Sequence, residues 1–409
     1  MTQGIIKQAT NWSPTTYIGL DIPWVLFLVI WAIRRLKTRH DTTFGIIDGL
    51  ILAFFAWSAV EIFNPNLSSP WMAIGAIRNR LLPMMFYWVG KDLLDGPRSQ
   101  RLLLVCLLLA GAGGVFGIYE WSLNGEVGKW GPGFVTRSST DWRDDEGVGH
   151  LRPMSIYQDG GLAAMFSGIM FCIALNSWSK FPKRIWPWII ASGLACAIFV
   201  AVSGVRSAVL CTVAGLILSV LLNRRLLRPV LGIFFIFMLL STITGSANLG
   251  DRYKTIVNPL AAYQENRGHT VKAAGNLIQT APLGIGTGSA TTSAAVYVNL
   301  FDPGNKQVDS YQSDNAIAVM LAEGGILLMI LYVAIFSFII AQSWKECRKG
   351  QSKKEIASTV LVLAVVLLIA SGTGPVTDWQ PTNILLWILA GSLMAAPIKT
   401  AYQKSGVVL

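Results

Sequence analysis

The chain has 409 residues, of which 53% are hydrophobic and only 13% charged. Its net charge of +11 would suit a nucleic-acid partner, but most of the cations flank hydrophobic runs, which is the signature of membrane topology. Composition therefore excludes a soluble enzyme and a nucleic-acid binder. It predicts an all-α polytopic integral membrane protein.

The segment Met1–Tyr17 is polar, and no small-residue cleavage site follows an apolar core. The first span is expected to act as an uncleaved anchor. About eleven hydrophobic runs, twelve at most, read as transmembrane helices. They are Tyr17–Ile33, Phe44–Phe63, Pro70–Val89, Leu102–Trp121, Ile156–Trp178, Ile185–Val202, Val205–Leu222, Val230–Ser246, Asp314–Gln342, Ile356–Ser371 and Thr382–Ala396. Alternate loops carry the cations: Arg34 to Arg39, Lys91 to Arg101, Lys180 to Arg184, Arg224 to Arg228 and Lys345 to Lys354. The positive-inside rule makes that face cytoplasmic. Three regions follow: helices and an outer loop (122–155) within 1–246, a long periplasmic loop at 247–313, and C-terminal helices at 314–409. Cys106, Cys172, Cys196, Cys211 and Cys347 form neither a disulfide framework nor CxxC metal spacing.

Arg206 interrupts an otherwise uncharged apolar stretch, Ile185–Leu222. At a helix centre it would cost about 2.5–3.5 kcal/mol on the insertion scale. The Ser203-Gly204 turn instead sets it just beneath the outer face. Other charges gather at that level. The long loop carries Glu265-Asn266-Arg267-Gly268-His269-Thr270 and then a short amphipathic helix with Lys272 near its start, ended by Pro282. The loop closes on Tyr311-Gln312-Ser313-Asp314-Asn315, and the first outer loop ends at Arg152, with Asp159 opening the next span. Arg78 and Arg80 lie within the third span. Two positions apart, they point about 200° apart on a helix.

These residues describe a basic pocket in the outer leaflet. Guanidinium groups suit phosphate because they are planar, always charged and bidentate. A lipid carrier with a diphosphate head presents its charge at this depth, and the same arginines would stabilise a departing diphosphate. The remaining need is a base for an acceptor hydroxyl. Asp314 is the first candidate, with His269 and Glu323 behind it. Plainer readings stand beside these. Arg206 could bridge to Asp159 or Glu120, Asp314 could cap a helix, and Glu323-Gly324-Gly325 could be a kink. Gly284-Ile285-Gly286-Thr287-Gly288 reads as a closely packed turn, since no strand precedes it as a dinucleotide fingerprint requires. The acidic run 141–146 reads as a solvated loop, with Trp130 or Trp142 as a sugar-stacking platform.

Four elements in this order resemble the O-antigen ligase and polymerase superfamily of membrane glycosyltransferases. They are RPMSIYQDGGLAAMF, the SGVRSAVL turn, the loop arginine with its helix and PLGIGTG, and SDNAIAVMLAEGGI. The resemblance implies a GT-C-like helical fold with a helical periplasmic loop in the bacterial inner membrane, its active site facing the periplasm. It also implies metal-independent, inverting transfer from undecaprenyl-diphosphate-linked glycans to a second carrier-linked acceptor, without a cofactor. Arg206, Arg267 and Asp314 are then the catalytic residues. Arg78, Arg80, Arg152, Asp159, His269, Lys272 and Tyr311 become substrate contacts. Ligases of the family typically have histidine where this chain has Asp314, which favours a polymerase of O-antigen or exopolysaccharide. A ligase or protein O-oligosaccharyltransferase is the nearest alternative, and a flippase of lipid-linked glycans is the alternative of another class. A chain-length regulator and a flippase are the expected protein partners.

Overall fold

The computed structural model describes residues 14–38, 44–94, 96–122, 142–143, 149–150, 160–178, 181–228, 230–232, 272–273, 275–290, 297–298, 301–302, 315–349, 353–374 and 381–395, with single positions at 153, 155, 157 and 264. Its helices are α1 (Pro14–Thr38), α2 (Ile46–Val60), α3 (Met72–Ala76), α4 (Leu82–Leu93), α5 (Gly96–Ser122), α6 (Gly160–Ser177), α7 (Trp186–Val202), α8 (Arg206–Leu222), α9 (Ala316–Lys349), α10 (Lys354–Ser371) and α11 (Thr382–Met394). Trp142–Arg143 and Gly149–His150 pair as a two-residue antiparallel ladder. Among the described residues, six helical segments are long and apolar enough to cross a membrane, and α8 and α11 are apolar but shorter. The chain is an all-α multi-pass membrane protein. Of the expected span Val230–Ser246, only 230–232 are described.

Helix α6 is the centre of the bundle. It is apolar on every side, and nearly all of its residues are buried, as a helix must be when it has no solvent or lipid face. It packs against α5, α7, α8 and α10. Backbones come close where side chains are small. A Cβ on Gly90 of α4 would lie 2.0 Å from the Ile388 carbonyl of α11, and one on Gly391 would lie 1.8 Å from the Tyr87 carbonyl. This is the small-residue crossing through which helices associate inside a bilayer.

Three of the basic loops meet at one end of the bundle. Arg35 pairs with Asp92 at 3.2 Å, and Lys91 with Asp48 at 2.8 Å. Gln100 Nε2 donates to Glu355 at 3.0 Å, and Lys353 Nζ donates to the Leu393 carbonyl at 3.0 Å. The charge sorting read from the sequence requires this gathering. At the opposite end, the Ser155 N–H donates to Glu120 Oε2 at 2.7 Å.

The expected third span is helical but carries an irregular turn. Between α3 and α4 the chain makes a π turn, Ile77–Leu81, which contains both Arg78 and Arg80. Such single-turn bulges occur frequently at functional sites.

Candidate functional site

Helix α9 is broken near its start. Gly324 has φ −136° and ψ 19°, and Gly325 has φ 65° and ψ −161°. A break inside a membrane helix exposes backbone groups that must find partners. The segment Pro282–Gly288 supplies them. The Ile285 N–H donates to the Ala322 carbonyl at 2.7 Å, and the Gly286 N–H to the Glu323 carbonyl at 3.2 Å. The Ile326 N–H donates back to the Pro282 carbonyl at 3.2 Å, and Trp57 Nε1 donates to the Gly324 carbonyl at 2.8 Å. The glycine-rich motif and the kink, read separately in the sequence, are one structure. The motif fits because Gly284, Gly286 and Gly288 all take positive φ, at 100°, 105° and 94°, where other residues are strained.

The other side of this plug rests on the end of α2. The Thr287 N–H donates to the Glu61 carbonyl at 3.2 Å, and Thr287 Oγ1 donates to the Ser58 carbonyl at 2.8 Å. Asn64 Nδ2 spans the Gly284 carbonyl (3.1 Å) and Glu61 Oε2 (2.6 Å). Trp57, Glu61 and Asn64 escaped the sequence reading. A carboxylate at the end of an apolar run was the available signal for Glu61.

Beneath the plug lies an enclosed ion pair. Arg80 NH1 donates to Glu323 Oε2 at 2.7 Å, and the side chains are 2% and 0% exposed. Arg78 pairs through Nε with Asp21 of α1, whose Oδ2 also accepts from the Tyr297 hydroxyl at 3.4 Å. The two arginines therefore diverge, as their spacing requires. Both arginines are thus already paired with an opposite charge, and Arg80 also lines a small cavity with Met84, Tyr332 and Trp387.

The expected helix cap at Asp314 belongs to the next residue. Asn315 Oδ1 accepts from the N–H groups of Ile317 and Ala318 at 2.9 and 3.2 Å. This is the N-cap arrangement. Asn315 Nδ2 donates to the Gly372 carbonyl at 3.0 Å, and the Ala316 N–H donates to the Gly374 carbonyl at 3.2 Å. Asp314 directly precedes this anchored cap and lies outside the described residues.

Arg206 is the first residue of α8. The preceding turn is closed by Ser203 Oγ, which donates to the Val200 carbonyl at 2.8 Å and accepts from the Val205 N–H at 3.2 Å. Gly204 takes φ 67°. A helix N-terminus is electropositive and binds anions, so a cation there reinforces the field instead of neutralising it. The level of Arg206 follows from packing. Gly215 of α8 lies against Val366 of α10. Arg206 and Gly372 stand nine and six positions beyond those residues toward the same end, rises of about 13.5 and 9 Å. Arg206 is thus within roughly 5 Å of the level of Gly372, the anchor of Asn315, and packed helix axes are about 8–10 Å apart.

Lys272 is exposed, and residues 275–280 are helical and end before Pro282, as expected. Arg152, Asp159, Arg267, His269 and Tyr311, together with Trp130 and the side chain of Trp142, lie outside the described residues. Among the described residues, no three His, Cys, Asp or Glu side chains converge as metal ligands would.

Residues 191–333 match the family model for O-antigen ligase. The match over this segment supports the O-antigen ligase and polymerase superfamily. It runs from α7 through Arg206 and the glycine plug to the broken part of α9. The superfamily match supports a glycan-transferring enzyme of the ligase or polymerase type acting on lipid-linked glycans in a membrane. No curated protein matches the chain.

Proposed function

We propose that the protein is a polysaccharide polymerase of the bacterial inner membrane. At its periplasmic face it joins glycan repeat units carried on undecaprenyl diphosphate. The hydroxyl oxygen of the acceptor sugar attacks the anomeric carbon of the donor glycan from the side opposite the diphosphate. The new C–O bond forms as the bond to the diphosphate oxygen breaks, so the anomeric configuration inverts. The hydroxyl proton passes to Asp314, and polyprenyl diphosphate leaves with the bonding electron pair. Arg206 and Arg267 neutralise the charge that develops on it, and the N-terminal field of α8 adds to their effect. Arg152, Asp159, His269, Lys272 and Tyr311 line the approach of donor and acceptor. Arg78 and Arg80, already engaged by carboxylates of the chain, are left out of the diphosphate contacts.

The single observation that carries this reading is the common level of Arg206 and the Asn315 anchor. It supports pairing the N-terminal field of α8 with a base one residue before the cap of α9 in sequence. A ligase transferring to lipid A–core or protein is the second reading, favoured by the matched family's description. Asp314, where ligases typically have histidine, tips the choice to polymerase.

The test is reconstitution of the purified protein in liposomes with a purified lipid-linked repeat unit. A ladder of longer glycans on the carrier is expected. Transfer only to added lipid A–core or protein would establish the ligase reading, and movement between leaflets with no new glycosidic bond would sink both.

A further inference from the structure

The Arg80–Glu323 pair joins two irregular turns within the bundle: the π turn Ile77–Leu81 and the break at Gly324-Gly325. Burying such a pair is weak evidence for stability, because desolvation offsets the attraction, and apolar replacements are often tolerated. What a buried pair does supply is direction. Glu323 is the last residue before the break. Its backbone carbonyl accepts from Gly286, and its carboxylate accepts from Arg80. The half-helix 316–323 is therefore fixed at one end by Glu323 and at the other by Asn315 on Gly372. It is about 12 Å long, and Asp314 is attached at its far end.

We propose that Arg80 and Glu323 are positioning residues, whose pairing across the two irregular turns sets the half-helix 316–323 and with it Asp314. This rests on the transferase reading above. Neither residue touches substrate. Arg80 acts through Glu323, and Glu323 acts through the short helix. A displacement of about 1 Å at a reacting group can lower a rate about 100-fold, so a small swing of this helix is enough to matter.

The test compares wild type with the double variant Arg80→Met/Glu323→Met, which removes both charges together, and with Arg80→Lys, which keeps the charge. In the liposome assay with the purified lipid-linked repeat unit, the double variant is expected to lose at least tenfold in turnover. Its KM for that unit should stay within twofold, and Arg80→Lys should regain a clear part of the rate. Amide hydrogen exchange, which needs no activity, should be faster over 316–323 in the double variant. Wild-type turnover in the double variant overturns the proposal, as does a raised KM at unchanged turnover, which would mean direct substrate contact. Unchanged exchange over 316–323 overturns it even if activity falls. Unfolding of both the double variant and Arg80→Lys would mark the pair as a structural staple and overturn it too. A wild type that makes no glycan bond sinks the transferase reading itself, and the exchange result then still decides whether the pair holds the half-helix.

Discussion

Substitution of Gly325 by alanine tests the account of the broken helix without reference to activity. Gly325 sits at φ 65° and ψ −161°, a region open essentially to glycine alone. Holding another residue there costs about 1–3 kcal/mol. The space is also taken, since a Cβ on Gly325 would lie 2.1 Å from the Pro282 carbonyl oxygen and 2.5 Å from the Leu283 carbonyl carbon. Both obstacles are backbone, so relief requires the plug to move, at an overpacking cost of about 1–3 kcal/mol. The two terms sum to roughly 2–6 kcal/mol, a large share of the 5–15 kcal/mol typical of a folded domain. Gly275 is the control, because it lies in the helical stretch 275–280 and a Cβ there meets nothing within 4 Å. Alanine at Gly275 should be neutral or favourable by up to about 1 kcal/mol. Thermal unfolding of the purified proteins in one detergent gives the comparison, with a drop of several degrees expected for Gly325→Ala and none for Gly275→Ala. Equal midpoints for Gly325→Ala and wild type would refute the claim that the plug and the break are locked together.

Arg206→Ala should lower turnover in the reconstituted assay by about 100- to 1,000-fold, the range for losing one donor to a developing oxyanion; Arg206→Lys should recover only part, since lysine keeps the charge without the bidentate fork. Asp314→Asn should lose about 100- to 10,000-fold with an unchanged unfolding midpoint, because Asn315 and not Asp314 caps α9; a matching loss of stability would return Asp314 to a structural role. Asn315→Ala should lower stability by about 1–2 kcal/mol through the lost cap. Asn315→Asp should retain the cap but not the donation to the Gly372 carbonyl, and so fall between the two. Chelation with EDTA should leave the wild-type rate unchanged, and a rate abolished by EDTA and restored by a divalent cation would refute metal-independent transfer.

Much of the framework was legible because bilayer physics writes it into composition. The expected spans Ile185–Val202 and Val205–Leu222 correspond closely to α7 and α8, since length, hydropathy and a Ser-Gly turn all agree there. The cap reading offered for Asp314 falls one position later, on Asn315. Asp and Asn are equally good caps, and only the Gly372 carbonyl, 57 residues away, singles out Asn315. For Arg78 and Arg80 the sequence shows the charges but not the carboxylates they pair with. Asp21 and Glu323 are 57 and 243 residues from them, and no local pattern reports such pairings. The π turn left no signal either, because its residues, Ile77–Leu81, suit an ordinary helix equally well.

The break in α9 has a consequence for depth that an unbroken helix could not supply. Asn315 and Tyr332 are seventeen positions apart, which in a straight helix is about 25 Å. Yet Asn315 bonds to Gly372, and the Tyr332 hydroxyl bonds to Ser371 Oγ at 2.7 Å, two adjacent residues at the end of α10. The chain before the break is therefore turned aside from the axis of the helix after it. Had α9 run straight, residue 315 would stand more than two turns further from Tyr332 along the bundle axis, beyond the level of Arg206. Turning the half-helix aside brings the cap down to the end of α10, and so near the level of the N-terminus of α8. The glycines of Pro282–Gly288 make that turn tolerable by replacing the lost helix hydrogen bonds from a segment of the long loop 247–313. The plug and the break are thus locked to each other, and both lie with Arg206 inside the matched segment, residues 191–333.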